Sequence, residues 1–118
     1  MFAAALNDEA VGAALQHYHP RSAVHILHLD RPRGPAERLV GLGVIGTWLA
    51  GNVRNSSNHL VTNMVGTCDR LTFYEQRTRR DGVQVLEENM AEITGGLITN
   101  QYVIIGWHDL GNNAISPA

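Results

Sequence analysis

Four long runs of strand-like residues fill the second half of the chain. They cover 58–66, 70–78, 84–93 and 97–107, and turns rich in Gly or charged residues separate them at 66–69, 79–82 and 94–96. Turn signals at this spacing predict one antiparallel meander. The predicted strands exceed the usual length of about five or six residues, so the sheet must twist and coil. We therefore predict a cone-shaped sheet that encloses a cavity.

The first fifty residues carry a different, mixed pattern. Asn7 and Asp8 are typical of an N-cap, and the apolar stripe that follows predicts a helix that ends near His19, before Pro20. That stripe consists of Val11, Ala14, Leu15 and Tyr18. Residues 2–6 are expected in a preceding helical turn. The later segments predict a strand at 22–29, a loop at 30–35, a short strand at 38–40, a helix at 41–50 and a polar turn at 51–57.

Glycines mark the predicted helix at 41–50. Gly43 and Gly46 each weaken a helix by about 1 kcal/mol relative to Ala. We therefore expect this helix to pack closely against another backbone.

Composition narrows the class of protein. The 118 residues are 44% hydrophobic and 17% charged, with a formal charge of −2 and one cysteine. These values predict a single domain over 1–118 with no intrachain disulfide, and they favour neither nucleic acid nor a membrane surface as a partner. No long apolar stretch or signal peptide is visible, so we expect a cytoplasmic protein.

Two local segments are expected to lie in solvent. Residues 110–118 are expected to form a flexible tail. Arg77, Arg79 and Arg80 are expected to lie in a solvated turn.

Several local strings resemble one known family. The stretch from Leu6 to His25, the Gly-rich helix at 41–49 with its Trp, the His-containing strand at 57–63 and the Gly-Gly turn at 95–98 follow each other in its order. They resemble the nuclear transport factor 2-like superfamily, and most of all its SnoaL-like branch, which includes polyketide cyclases, ketosteroid-isomerase-like and scytalone-dehydratase-like proteins. The resemblance implies an α+β cone-shaped barrel, with N-terminal helices packed on the concave face of a curved sheet.

The sequence departs from that family at its known catalytic positions. The isomerase's carboxylate on the first strand falls at Ile26, and its oxyanion-hole acid falls at Asn89. The cyclase-type acid lands near Val103, and the hydrolase-type arrangement is not evident at 75–77. The resemblance therefore does not carry a named reaction over to this chain, because a fold alone does not define an activity.

His59 and Glu87 are the candidate catalytic residues. His59 matches a pocket histidine of dehydratase-like relatives, and an imidazole exchanges protons near pH 7. Glu87 shares a strand face with Asn89 and would be a pocket carboxylate with a raised pKa. The alternative directs the opposite face, with Glu88 and Glu92, inward or toward a subunit interface. His59 could also simply bond a nearby carbonyl.

Five further residues form the candidate ligand-binding set: Asn63, Asn89, Gln101, His28 and Trp48. By strand alternation Asn63 shares the face of His59, where it would orient a ligand or fix His59 itself. Asn89 would donate to a substrate oxygen, and Gln101 lies on a mixed amide and aliphatic face suited to a small apolar ligand. That last face includes Trp107, for which a core or dimer contact is favoured. No spacing of His, Asp or Glu predicts a metal site.

Two functions follow from these residues. The first is a cofactor-independent isomerase, dehydratase or cyclase that moves protons on a small apolar molecule. The second is a non-catalytic ligand-binding or assembly module. Leu60, Thr62 and Met64 are expected on the outer sheet face, which predicts a homodimer under either function.

Overall fold

A computed structural model describes residues 2–7, 10–29 and 36–109 of the chain. Three helices and six strands follow one another along it. They are α1 (Phe2–Asn7), α2 (Val11–Leu15), β1 (Tyr18–His28), β2 (Glu37–Val40), α3 (Leu42–Arg54), β3 (Ser56–Gly66), β4 (Arg70–Arg79), β5 (Val83–Thr94) and β6 (Leu97–Asp109).

The six strands form one curved, unclosed sheet. Their order is β2-β1-β6-β5-β4-β3, and every neighbouring pair is antiparallel except β1 and β6, which are parallel. Helix α3 contacts both β1 and β3, which lie four strand positions apart in this order. One helix can touch both only because the sheet coils around it. The predicted α+β cone and its four-stranded meander are confirmed.

The core fills the concave side of the sheet. Apolar side chains from both short helices, from α3 and from the inner faces of β1, β4, β5 and β6 pack together there. Phe2 anchors α1 through edge-to-face contacts with Tyr18 and Phe73, with ring centroids 5.7 and 5.8 Å apart. Burial of these aromatic rings attaches a helix that is too short to be stable alone.

Two bulges interrupt β3. Asn58 and Asn63 both have φ of 55°, a left-handed conformation that Asn tolerates better than most residues. The pairing with β4 shifts register at both places. Because each bulge adds a residue, Met64 packs against the core while Asn63 is exposed. The prediction that Asn63 shares the face of His59 is therefore wrong, and so is the outward prediction for Met64.

The N-terminal segment also differs from the prediction. Asn7 ends α1 instead of capping the next helix, and α2 begins after Ala10 without a side-chain cap. Asp8 and the loop at 30–35 lie outside the described residues. Tyr18 begins β1, and a register shift between Tyr18 and Ala23 accommodates Pro20 within the strand.

Helix α3 runs to Arg54 and so includes part of the segment predicted as a turn. A Cβ added at Gly46 would lie 3.0 Å from the Leu15 side chain, whereas one at Gly43 would meet nothing within 4 Å. The glycine contact is thus with a side chain of α2, not with a backbone as predicted.

Two glycines determine the turn of the last hairpin. Gly95 and Gly96, between β5 and β6, have φ of 60° and 79°. Positive φ at both central residues is typical of a type I′ turn, whose twist matches the flanking strands. The predicted tail at 110–118 and the side chain of Trp107 lie outside the described part of the chain. No helix among the described residues is long and apolar enough to span a membrane.

The bulge at Asn63 can be tested by substitution. Replacement of Asn63 by Val should lower the free energy of unfolding by about 1–2 kcal/mol, because a β-branched residue is strained at positive φ. Asn63→Gly should stay close to wild type, and Thr62→Val, on the same strand at ordinary φ, is the matched control. Urea unfolding measures all three. Equal stability of the Val and Gly variants would contradict the bulge.

Candidate acid–base site

Four polar side chains lie on the inner face of β4 and β5 in the middle of the apolar core. They are Glu75, Arg77, Glu87 and Asn89, and all four are buried. The hairpin register sets Glu75 directly opposite Glu87 and Arg77 opposite Val85, one inward position further along. Two carboxyl groups therefore face each other across neighbouring strands, with a guanidinium group beside them.

Arg77 connects the two carboxyl groups. Its Nη1 donates a hydrogen bond to Glu87 Oε2 and lies 3.9 Å from Glu75 Oε2. The Glu87 side chain is 0% exposed and that of Arg77 is 8% exposed. The expectation that Arg77 belongs to a solvated turn is wrong, because β4 extends to Arg79 and the turn begins at Arg80.

His59 joins this group from β3. Its Nε2 lies 3.3 Å from Glu75 Oε2, and its side chain is 10% exposed. The bulge at Asn58 brings His59 onto the inner side of the strand. A carboxylate on one ring nitrogen orients the imidazole and leaves the other nitrogen, Nδ1, for proton exchange.

Burial and charge shift the pKa values of these groups. Burial raises the pKa of Glu87 to about 7, the charge of Glu75 adds to that rise, and Arg77 opposes it. Burial lowers the pKa of His59, but the hydrogen bond and charge of Glu75 outweigh it and leave that pKa raised. The pKa of Glu87 therefore lies near neutral pH, as general acid–base catalysis requires.

A series of three hydrogen-bonded side chains lies beside the charged groups. Tyr18 donates to Gln101 Oε1 at 2.5 Å, and Gln101 Nε2 donates to Asn89 Oδ1 at 2.8 Å. Asn89 Nδ2 and Glu87 Oε1 are buried without a partner among the described residues. Unpaired buried polar atoms are costly, so the two atoms are unusual features of this interior.

The space between the helices and the side chains of His59 and Glu75 is small. A crevice of about 20 Å³ lies between them and the three helices. Its helical lining residues include Leu6, Val11, Leu49 and Asn52. This volume admits roughly one water molecule. The crevice itself therefore admits only one small group. His59 also borders a second, open recess of about 400 Å³, together with Asn58 and Arg77.

Some predicted site residues come together and others do not. Glu87 and Asn89 face the interior, as does Gln101, on the faces predicted for them. His28 lies at the end of β1, 2.9 Å from Glu37 Oε1. Trp48 lines an apolar groove with Leu39 of β2 and the outer residues of α3, apart from the crevice. Asn63 is exposed.

Sequence reasoning missed Glu75, Arg77 and Tyr18. On β4, Phe73, Glu75 and Arg77 alternate with Tyr74, Gln76 and Thr78, so both faces look equally polar. The one available signal is the hairpin register, which pairs Glu75 with Glu87 once the turn is fixed at 80–82. Within the described residues no group of three His, Cys, Asp or Glu side chains forms a metal site.

Comparison with solved structures identifies the fold. A candidate ketosteroid isomerase from Kribbella flavida superposes with a TM-score of 0.67 and 13% identity, over 99% of this chain and 76% of that one. A nuclear transport factor 2-like protein of unknown function from Burkholderia xenovorans gives 0.70 and 10%, over 89% and 77%. A candidate polyketide cyclase from Sinorhizobium meliloti gives 0.64 and 15%, over 86% and 88%.

These likenesses confirm the fold predicted from the resemblance. The chain has the nuclear transport factor 2-like cone, which it shares with proteins described as isomerases, cyclases and proteins of unknown function. No protein-family model matches the sequence, and no curated protein matches it. Identities this low establish the architecture and leave the activity to be argued from the site.

The ionisation of Glu87 should make the free energy of unfolding depend on pH. Because the folded pKa of about 7 lies above the ordinary 4.5, folding favours the protonated carboxyl. This contribution is fully present below about pH 4.5 and is lost as the pH rises through 7. Relative to Glu87→Gln, wild type should lose about 3 kcal/mol of unfolding free energy between pH 4.5 and 8.

Urea unfolding at a series of pH values measures this difference. Glu88→Gln is the matched control, because Glu88 is exposed on the opposite face of β5. Wild type and Glu88→Gln should show the same pH dependence. Parallel curves for wild type and Glu87→Gln would contradict the raised pKa.

Proposed function

We propose that this chain is a cofactor-independent acid–base catalyst that moves protons on a small oxygen-bearing molecule, as an isomerase, dehydratase or cyclase does. The observation that carries the proposal is the buried contact of His59 Nε2 with Glu75 Oε2 at 3.3 Å, beside a second carboxyl group with a pKa of about 7. A histidine in contact with one carboxyl group, beside a second carboxyl group with a pKa of about 7, supplies the acid and base that such reactions need.

His59 is the proposed base. It takes a proton from the carbon next to a substrate carbonyl, and the C–H electron pair forms a C=C bond while negative charge moves onto the carbonyl oxygen. Glu75 stabilises the imidazolium cation that results. Return of the proton to another carbon gives isomerisation. Protonation and departure of a β-hydroxyl group as water gives dehydration.

Glu87 and Asn89 are proposed to receive the developing negative charge. Glu87 retains its proton for part of the time near pH 7, and Asn89 Nδ2 is an unpartnered buried donor among the described residues. A fixed donor in a water-poor site stabilises an enolate strongly. Arg77 keeps the net charge of the two carboxyl groups low, so that an anionic intermediate is not repelled.

The departures from the family's catalytic positions agree with this assignment of roles. Ile26, where the isomerase's carboxylate would lie, is 1% exposed within the core and carries no titratable group. The proposed base therefore comes from another strand: among the described side chains, His59 on β3 is the histidine that contacts a buried carboxyl group. The fold shared with a candidate isomerase and a candidate cyclase supports the reaction class.

A non-catalytic homodimer is the second candidate function. Large apolar side chains are exposed on the outer sheet face: Leu27, Leu60, Tyr74, Leu86, Tyr102 and Ile104, each 37–50% exposed. They come from β1, β3, β4, β5 and β6, so the apolar surface crosses the sheet. A surface of this kind favours self-association.

The catalytic proposal predicts enzyme-promoted deuterium exchange. Small cyclic ketones and keto acids incubated with the protein in D₂O should lose their α-proton NMR signals faster than without it. His59→Gln should slow this exchange by about 10²–10⁴-fold, the usual contribution of a general base. His25→Gln is the matched control. The His25 ring stacks on Tyr102 of the outer sheet face, with centroids 4.8 Å apart, so this variant changes a histidine outside the candidate site. Unchanged exchange in His59→Gln would rule His59 out.

The dimer proposal predicts that a charged substitution on the outer sheet face halves the mass of the particle in solution. Wild type should sediment as a dimer, and Ile104→Glu should sediment as a monomer, because a buried unpaired carboxylate is costly. Gln16→Glu, an exposed change away from the sheet, should leave the dimer intact. A monomeric wild type at tens of micromolar in analytical ultracentrifugation would contradict this proposal.

A further inference from the structure

The open recess of about 400 Å³ that His59 borders spans β3, β4 and β5. Its volume lies within the roughly 300–1,000 Å³ of small-molecule sites. The strand register explains its position, because two residues of β3, Asn58 and His59, lie opposite the single residue Arg77 of β4. A bulge of this kind interrupts the ladder and bends its strand. The recess therefore accompanies the same bulge that brings His59 to Glu75.

Uncharged polar side chains line this recess. They are Asn58 of β3, Gln76 and Thr78 of β4, and Gln84 of β5. The three amide residues are exposed, so their side chains are accessible to a molecule in the recess. Each amide carries two N–H donors and an acceptor oxygen, and the threonine hydroxyl group both donates and accepts. The hydroxyl groups of a ligand complement such a lining, because they also donate and accept.

Two exposed leucines flank the central amide. Gln76 pairs with Leu60 of β3 on one side and with Leu86 of β5 on the other. Leu60 is 50% exposed and Leu86 is 41% exposed, and both line the recess. They offer apolar contacts to the carbon skeleton of a ligand, while the amide groups fix its polar groups. Small-molecule sites commonly combine these two kinds of contact.

The recess offers no unpaired charge among the described residues. Arg77 and His59 are the ionisable residues that line it. The guanidinium group of Arg77 contacts Glu75 and Glu87, and the His59 imidazole contacts Glu75. The interior carboxyl groups thus offset the charge of both residues. A charged ligand would lose hydration here without gaining an ion pair, so the lining favours an uncharged ligand.

We propose that this recess binds the substrate, and that the substrate is an uncharged polyhydroxy carbonyl compound. The inference rests on the proposed function. The interior crevice of about 20 Å³ admits one small group, whereas the recess can hold a whole small molecule at the border formed by His59. The side chain of His59 is 10% exposed. Amide groups such as that of Gln76 hold the hydroxyl groups, and the carbonyl end lies toward His59. A polar, uncharged ligand replaces the apolar one expected from the sequence.

Titration with three probes of equal carbon number, followed by ¹H–¹⁵N NMR, tests the recess without a known substrate. Erythritol is uncharged and polyhydroxylated, erythronate carries a carboxylate, and 2-butanone lacks hydroxyl groups. Erythritol should give saturable shifts of the amide signals at 58–60, 76–78 and 84–86. It should bind about fivefold or more tightly than either other probe, the effect of one hydrogen bond. Tighter binding of erythronate or of 2-butanone would overturn the proposal.

The same titration is made on Ile104→Glu. Leu60 and Leu86 belong to the outer sheet face proposed for self-association, so a second copy on that face would cover the recess. Saturation by erythritol in wild type or in Ile104→Glu supports the site. Linear shifts in both proteins would overturn it.

Two variants locate the binding. Gln76→Ala and Gln84→Ala should each weaken erythritol binding by about fivefold, because one hydrogen bond to the ligand is lost. Both positions are exposed, so urea unfolding of the variants should match that of wild type. Gln16→Ala makes the same change at the exposed end of α2 and should have no effect. Equal affinity in all three variants and wild type would contradict this placement of the ligand.

Deuterium exchange separates this inference from the proposed function. The probe is erythrulose, the ketone that corresponds to erythritol. Gln76→Ala should raise the erythrulose concentration at half-maximal exchange about fivefold and leave the maximal rate within about twofold, whereas His59→Gln should lower the maximal rate. If erythritol fails to saturate but exchange of cyclic ketones still depends on His59, the recess proposal alone falls. If erythritol saturates but exchange does not depend on His59, the acid–base proposal falls, and the substrate role of the recess falls with it.

Discussion

The guanidinium group of Arg77 is the interaction on which the candidate site depends. Glu75 and Glu87 face each other across β4 and β5, and two like charges in that position would repel each other in a medium of low polarity. Arg77 offsets that repulsion and leaves the carboxyl groups with different roles. Glu75 holds His59, whereas Glu87 has a pKa of about 7 and can give up a proton. One buried cation thus permits an acid and a base to lie side by side.

Local backbone features place these groups. The two bulges in β3 turn His59 toward Glu75 and move Asn63 out to the surface. The short α1 and α2 cover the interior through Phe2 and its aromatic contacts and leave a crevice of about 20 Å³ between the helices, His59 and Glu75.

The sequence predicted the architecture better than the site. Turn glycines such as Gly95 and Gly96 and long alternating runs determine a meander locally, so the α+β cone was accessible from pattern alone. The site depends on contacts across strands. Nothing near Arg77 in sequence distinguishes it from its solvated neighbours, because its burial follows from hairpin register. The bulge at Asn63 could not be predicted for a similar reason. Strand alternation assumes that every second side chain points the same way, and an Asn with positive φ interrupts this alternation without a distinctive sequence signal.

NMR titration of the His59 imidazole, in wild type and in Glu75→Gln, tests the central claim most directly. Burial alone lowers the pKa of this ring, and the raised value depends on Glu75. We therefore expect a pKa above the ordinary 6.5 in wild type and a clear fall of that pKa in the variant. A wild-type pKa at or below 6.5, or one that Glu75→Gln leaves unchanged, would contradict the claim that buried charge prepares His59 for proton transfer.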